Sequence, residues 1–159
     1  MPPSTILLRP GAAAAILVLA CLAAVLGLCP TAGAADVITL PPQTVAPGQV
    51  HLTVKVVLPP GHKFNPEAPS SLRLSSQDQK VLKVKKTFAK SLTAANLPVK
   101  LKVPAKPGQT TLQAELKLNF CNDQGGLCFM RDATVELPVQ VAKDAPGKVL
   151  EILYEVKVP

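Results

Sequence analysis

The sequence predicts an all-β domain built as a β-sandwich. Apolar and polar residues alternate with a period of two in many short segments. Prolines, 17 in all, and glycines separate those segments, and no long segment shows the 3.6-residue periodicity of a helix. Seven to eight short strands separated by such turn residues are typical of a sandwich.

Each predicted strand follows from its own alternation. In residues 50–58 the even positions are apolar, and Pro59-Pro60-Gly61 ends the strand. Residues 90–95 are a weak helix candidate, too short to be stable alone. In chain order, the predicted strands cover residues 50–58, 72–74, 81–84, 97–103, 112–121, 128–141 and 150–158.

The first 35 residues have the composition of a signal peptide. They contain one charged residue, an apolar stretch at 12–28, and a small-residue cleavage site formed by Ala32 and Ala34. We expect cleavage after Ala34 or one residue later. This leaves residues 36–159 as one domain, periplasmic or secreted, with no stable insertion in a membrane.

Two other readings of this segment stay open. Its 17 apolar residues reach the lower end of the length that spans a membrane, so an uncleaved anchor is an alternative. Val18-Leu19-Ala20 before Cys21 is compatible with lipoprotein processing. The apolar run continues well past Cys21, however, and small residues and Pro30 follow it, which favours cleavage near Ala34.

The charge of the chain gives little support for nucleic-acid binding. The formal net charge is +7, and +6 of it lies after residue 35. The lysines are spread over several segments, and four phenylalanines and one tyrosine offer little surface for stacking on bases. We therefore interpret the lysines as solvated strand faces and expect no nucleic-acid partner.

Two cysteines remain after the predicted cleavage, Cys121 and Cys128, because Cys21 and Cys29 leave with the signal peptide. In an oxidising compartment two nearby cysteines are expected to form a disulfide. The polar segment 122–126 predicts a hairpin turn between them. Strand parity predicts that both side chains project from the face opposite the core.

The spacing alone leaves the role of this pair open. A structural disulfide that closes an eight-residue loop contributes about 2.5 kcal/mol by chain entropy, and a redox-active pair fits the spacing equally well. Cu(I) binding is a third possibility, because Cys121, Cys128 and Met130 are soft ligands, with His51 or His62 as further candidates. No hydrolase, zinc or phosphate-loop motif occurs, and we expect neither a cofactor nor a resident metal.

Three segments resemble a known family. They are Leu58-Pro59-Pro60-Gly61-His62-Lys63-Phe64-Asn65-Pro66-Glu67-Ala68-Pro69, Leu97-Pro98-Val99-Lys100-Leu101, and the cysteine hairpin with Gly126-Leu127-Cys128-Phe129. From Leu58 onward the chain resembles the amino-terminal periplasmic domain of the thiol:disulfide interchange protein DsbD. It is still more similar to the carboxy-terminal β-domain of proteins that join a thioredoxin domain to NHL repeats.

The resemblance implies an immunoglobulin-like sandwich that passes electrons between thioredoxin-fold partners, as a disulfide reductase does. It implies that Cys121 and Cys128 are the redox pair and that Cys128 forms the mixed disulfide. It also implies that Phe88 lies in a loop that caps the cysteines and that Phe129 contacts the cap or the partner.

The chain departs from DsbD in several places. Six residues rather than five separate the cysteines, Met130 and Arg131 replace prolines, and lysines replace the acidic residues before Phe88. The transmembrane and thioredoxin-like parts of DsbD have no counterpart in this sequence, so another protein would supply the electrons. The alternative function is a non-enzymatic module with a structural disulfide that binds a protein along an edge strand. The oligomeric state stays open.

Overall fold

The computed structural model describes residues 36–84 and 88–158, and for residues 88–90 it describes the backbone only. These ranges contain ten β-strands and one 3-10 turn. The strands are β1 (Asp36–Thr39), β2 (Gln43–Val45), β3 (Gly48–Val57), β4 (His62–Phe64), β5 (Ser70–Ser76), β6 (Phe88–Leu92), β7 (Val99–Ala105), β8 (Gly108–Asn122), β9 (Cys128–Val141) and β10 (Val149–Glu155). The 3-10 turn is Ala94–Asn96. Within these ranges no helix has the length and apolar character needed to cross a membrane.

The strands form two sheets. The larger has seven strands in the order β1-β9-β8-β5-β6, with β2 also paired to β9 and β4 also paired to β8. The smaller has three strands in the order β10-β3-β7. Most neighbours are antiparallel, but β1 and β2 run parallel to β9, and β10 runs parallel to β3.

One apolar core lies between the two sheets, because alternate side chains of the long strands point toward the facing sheet. Leu112 and Leu137 from the larger sheet and Leu52 and Ile152 from the smaller one are fully buried in a single cluster. The residues between them along each strand are half-buried or exposed. The predicted all-β sandwich is therefore confirmed.

The described part of the chain forms ten strands rather than the predicted seven to eight. Four strands were not predicted, namely β1, β2, β4 and β6. Of these, β1, β2 and β4 have three or four residues each, too few to show an alternation. The predicted strand at 81–84 was wrong, because only an isolated bridge between Leu82 and Ala105 forms there. The weak helix candidate at 90–95 was also wrong, since β6 extends to Leu92 and a 3-10 turn follows.

The hairpin of β8 and β9 positions the cysteines. Its 15- and 14-residue strands pair without interruption from Gly108↔Val141 to Cys121↔Cys128, so no bulge changes the facing of the side chains. The predicted signal peptide, residues 1–35 with Cys21 and Cys29, lies outside the described residues.

Candidate functional site

The cysteine pair is the last paired position before the hairpin turn, as expected. Cys121 and Cys128 are joined by a disulfide, and their Cα atoms are 3.9 Å apart. The backbone N–H of Asn122 donates to the carbonyl of Leu127 at 2.8 Å. Since hydrogen-bonded and non-hydrogen-bonded pairs alternate in an antiparallel ladder, the cysteines occupy a non-hydrogen-bonded position, where facing side chains are closest.

The turn beyond the disulfide is held by polar groups of its own residues. The Asn122 side-chain oxygen accepts from the backbone N–H of Gln124 at 2.8 Å, an Asx-type turn. Gly126 has a φ of 63°, a left-handed conformation that glycine adopts without steric cost. The N–H of Asp123 donates to the Gly61 carbonyl at 2.8 Å, which fastens the turn to the chain before β4.

Strand β4 continues the sheet on the other side of β8. Lys63 pairs with Cys121, so Lys63, Cys121 and Cys128 form one cross-strand row and share a face. The Lys63 ammonium lies 3.1 Å from a carboxylate oxygen of Asp123, and both side chains are well exposed. A lysine therefore occupies the strand position beside Cys121, and its ammonium is paired with a neighbouring carboxylate.

The disulfide projects from the sheet face opposite the core, which confirms the parity prediction. Phe120, the neighbour of Cys121, is buried at 1% exposure, so Cys121 faces the other way. Cys121 is half-buried, and Cys128 is exposed. A molecule approaching this face from solvent therefore meets Cys128 more readily than Cys121.

Met130 is the apolar neighbour of the disulfide on this outward face. It lies two residues after Cys128 and opposite Asn119, and it is 77% exposed. The Asn119 amide is occupied, because its Nδ2 donates to the Pro69 carbonyl at 3.1 Å. An exposed thioether therefore lies on the disulfide face, one outward-facing position along β9 from Cys128.

An aromatic cluster underlies the disulfide on the core face. The rings of Phe120 and Phe129 stack at a centroid distance of 5.5 Å, and the His62 ring lies 5.7 Å from Phe120 and 5.8 Å from Phe129. His62 donates from Nδ1 to the Pro60 carbonyl at 3.0 Å, which fixes the ring. This cluster gives the tip of the hairpin a rigid support.

The outer edge of β9 carries no described strand at the cysteine end. Strand β1 pairs with β9 from Ala133 to Glu136, and β2 pairs from Val139 to Val141. Because Asn122 and Leu127 are a hydrogen-bonded pair, the backbone groups of Cys128 and Met130 point away from β8 toward this edge. Within the described ranges, neither β1 nor β2 extends far enough along β9 to pair with them.

The structure brings three of the four predicted site residues together. Cys121, Cys128 and Phe129 are adjacent, although Phe129 turns to the core face and not to the disulfide face. Phe88 pairs with Leu74 in the row of Ala114, seven residues before Cys121 along β8.

Seven residues of strand span roughly 23 Å, so the register does not bring Phe88 to the cysteines. The Phe88 side chain lies outside the described residues, as do Lys85 and Lys86. The capping role that the resemblance implies for Phe88 therefore stays a prediction without a described contact.

Two neighbours of the site were missed as such by the sequence analysis. Met130 was predicted only as a soft ligand, although its parity with Cys128 already indicates the shared face. Lys63 had no signal in the sequence, because the pairing of β4 with the end of β8 is a long-range contact.

The described residues contain no cluster of three His, Cys, Asp or Glu side chains that would hold a metal ion.

Comparison with known proteins gives a distant similarity. The chain matches NHL repeat-containing protein 2 of Gallus gallus with 22% identity over 125 residues, which is 72% of this chain and 17% of that protein. The chain thus spans less than a fifth of the length of this curated relative. No family model matches the chain. The match supports a distant, β-rich relationship.

Proposed function

We propose that the domain is a thiol–disulfide exchange module that passes electrons between thioredoxin-fold partners through Cys121 and Cys128. One observation carries the proposal: the disulfide lies at the mouth of a hairpin, on the face away from the core, with Cys128 exposed. A partner thiolate can therefore approach a sulfur without any rearrangement of the described core.

The exchange needs two steps that balance. A thiolate of a reduced partner attacks Cys128 Sγ, the Cys121–Cys128 bond breaks, and Cys121 leaves as a thiolate that takes up a proton. The second partner cysteine then attacks the mixed disulfide and releases Cys128 as a thiol. The partner ends as a disulfide and the domain as a dithiol, and the same steps in reverse pass both electrons to an oxidised acceptor.

The surroundings favour Cys128 as the attacked sulfur and Cys121 as the leaving group. Cys128 is the more exposed of the two, and access is one determinant of the exchange rate. Lys63 is paired with Cys121, and a nearby ammonium stabilises a departing thiolate. The ion pair of Lys63 with Asp123 weakens this stabilisation of the thiolate, because the carboxylate partly neutralises the ammonium charge.

Similarity to known proteins supports the same function. The cysteine hairpin resembles that of the DsbD amino-terminal domain, and the β-domain of thioredoxin/NHL-repeat proteins resembles the chain more closely still. The matched relative is named for its NHL repeats. With the signal-peptide composition of residues 1–35, this likeness supports an exported protein, periplasmic or secreted.

Trapping of the mixed disulfide tests the proposal. The Cys121→Ser variant keeps Cys128 free, and the thioredoxin-fold protein carries serine in place of its second active-site cysteine, with its first cysteine activated as a mixed disulfide with thionitrobenzoate. Cys128 is expected to displace thionitrobenzoate and form a stable adduct, because neither protein keeps a second cysteine that resolves it. The matched Cys128→Ser variant is expected to form the adduct more slowly, since Cys121 is half-buried. Absence of an adduct with either variant, across several thioredoxin-fold partners, contradicts the proposal.

The alternative is a binding module whose disulfide is structural. Within residues 36–84 and 88–158, no strand pairs with the outer edge of β9 at Cys128 and Met130, and this favours the alternative, because an extended partner segment can add a strand there. The reduction potential separates the two functions. A structural disulfide lies below about −300 mV, and an exchanging pair is more oxidising.

A further inference from the structure

We propose that the reduced form of the domain binds one Cu(I) ion through Cys121, Cys128 and Met130. The starting observation is that three sulfur atoms share one exposed corner of the sheet. Cys121 and Cys128 face each other across β8 and β9, and Met130 follows Cys128 by two residues on the same face. Thiolate and thioether sulfurs are the ligands that select Cu(I) over harder cations.

The backbone spacing allows the three sulfurs to reach one ion. Facing residues in an antiparallel pair have Cβ atoms about 5 Å apart, and residues two apart on a strand are separated by roughly 6.6 Å. Methionine has three rotatable side-chain bonds, so its sulfur can swing toward Cys128. Met130 is 77% exposed, and no described hydrogen bond or ion pair holds its side chain in another position.

The structure removes both histidines from the candidate ligand set. His62 lies in the aromatic cluster on the opposite face of the sheet, and its Nδ1 is bound to the Pro60 carbonyl. His51 lies in β3, which belongs to the smaller sheet. The site is therefore an all-sulfur site of two cysteines and one methionine.

The charges around the corner suit this complex. Two thiolates and one Cu(I) carry a net charge of −1, and Lys63 stands in the same cross-strand row as the cysteines. Asp132 is exposed two residues beyond Met130, and its carboxylate is a hard ligand that Cu(I) disfavours. Lys63 offsets the negative charge of the complex, and Asp132 does not compete with the sulfurs for Cu(I). Both neighbours therefore favour one sulfur-bound ion.

Binding is linked to the redox state of the pair. A dithiol reductant first gives two electrons and two protons to the disulfide and becomes a disulfide itself. Cu(I) then displaces the two thiol protons, which go to solvent. The oxidised protein lacks both thiolates, so it does not form this complex.

A competition titration tests the site. The purified protein, chemically reduced and kept without oxygen, is titrated with Cu(I) against the chromogenic chelator bathocuproine disulfonate. We expect one Cu(I) per protein, and no uptake by the oxidised protein. Copper X-ray absorption is expected to show three sulfur ligands.

The decisive variant is Met130→Leu, which keeps the size and the apolar character of the side chain and removes the sulfur. It is expected to bind Cu(I) at least about tenfold more weakly, since even residues behind the ligands change metal affinity by roughly 10- to 100-fold. Leu127→Ala is the matched control, because Leu127 is 62% exposed at the same hairpin without a sulfur, and it is expected to bind as the unaltered protein does.

Two results would overturn the site. In one, the reduced protein takes no Cu(I) from the chelator; in the other, Met130→Leu binds Cu(I) as tightly as the unaltered protein. The titration uses chemical reduction and no protein partner. It therefore stands apart from the trapping experiment, and the copper site can fail while disulfide exchange holds, or the reverse.

Discussion

The two ends of the β8–β9 hairpin differ in what covers them. At the far end, Leu112 and Leu137 face each other in the core at 0% exposure, with β5 beside β8 and β2 close by on β9. At the tip, Cys128 is exposed and the outer edge of β9 has no described partner strand. The same hairpin therefore packs into the core at one end and exposes the Cys121–Cys128 disulfide to solvent at the other.

The packed end should show the largest loss of stability on truncation. Leu137→Ala removes buried methyl groups and leaves a cavity between the sheets, so we expect a loss of about 2–5 kcal/mol in the free energy of unfolding. Urea denaturation measures it as a lower midpoint with an unchanged slope. A loss below about 1 kcal/mol would mean that the core at this position is loosely packed.

Reduction of the disulfide should have the next largest effect. The bond closes an eight-residue loop, and its removal is expected to cost about 2.5 kcal/mol. Urea denaturation with and without a reductant gives the difference. The double variant Cys121→Ser with Cys128→Ser is the control, because its stability should not respond to the reductant. An equal midpoint for oxidised and reduced protein would contradict this expectation.

The core face of the hairpin tip should contribute more to the stability of the domain than the disulfide face does. Phe129→Ala breaks the stacked contact with Phe120 and is expected to cost about 1 kcal/mol or more. Met130→Ala changes an exposed side chain on the other face, and we expect a change within about 0.5 kcal/mol. Both are measured by urea denaturation. The reverse order would mean that the disulfide face, and not the aromatic face, supports the hairpin.

Tyr154, a buried residue of β10, should make the stability of the domain fall slightly at alkaline pH. Burial raises the pKa of Tyr154 above its ordinary value near 10, the positive charge of Arg131 lowers it, and Asp36 raises it. The folded protein then holds the phenol proton more tightly than the unfolded chain does. The stabilisation is therefore complete below about pH 10 and is lost as pH rises through the folded pKa.

This prediction can be followed directly, because Tyr154 is the single tyrosine of the sequence. Phenolate absorbance should titrate at a higher pH in the folded protein than in urea. Tyr154→Phe should remove the part of the alkaline loss of stability that depends on this group. A titration that coincides in the folded and unfolded states would contradict the effect of burial.

Local patterns explain why the sequence predicted most of the fold. Long strands such as β8 carry an alternation over many residues, so both their existence and the outward facing of Cys121 follow from local sequence. The disulfide followed from the cysteine count and the polar turn. These features depend on neighbours along the chain, which is the information that a single sequence contains.

The features that were missed depend on long-range pairing. Strand β4 has three residues, and its position beside Cys121 comes from contacts almost 60 residues apart in sequence. Residues 81–84 alternate like a strand, but tertiary packing leaves a single bridge at Leu82. Local pattern does not state which edge a short segment will join, so Lys63 could not be placed next to the disulfide in advance.

The smaller sheet has a consequence for how the chain acquires its structure. Its last strand, β10, lies parallel to β3, and the two are separated by nearly the whole length of the domain. The core residues Leu150 and Ile152 therefore reach their places only when two segments nearly 100 residues apart in sequence come together. Until they meet, one side of the core is open to solvent, so we expect the pairing of β10 with β3 to be a slow step of folding during which the chain is prone to aggregate.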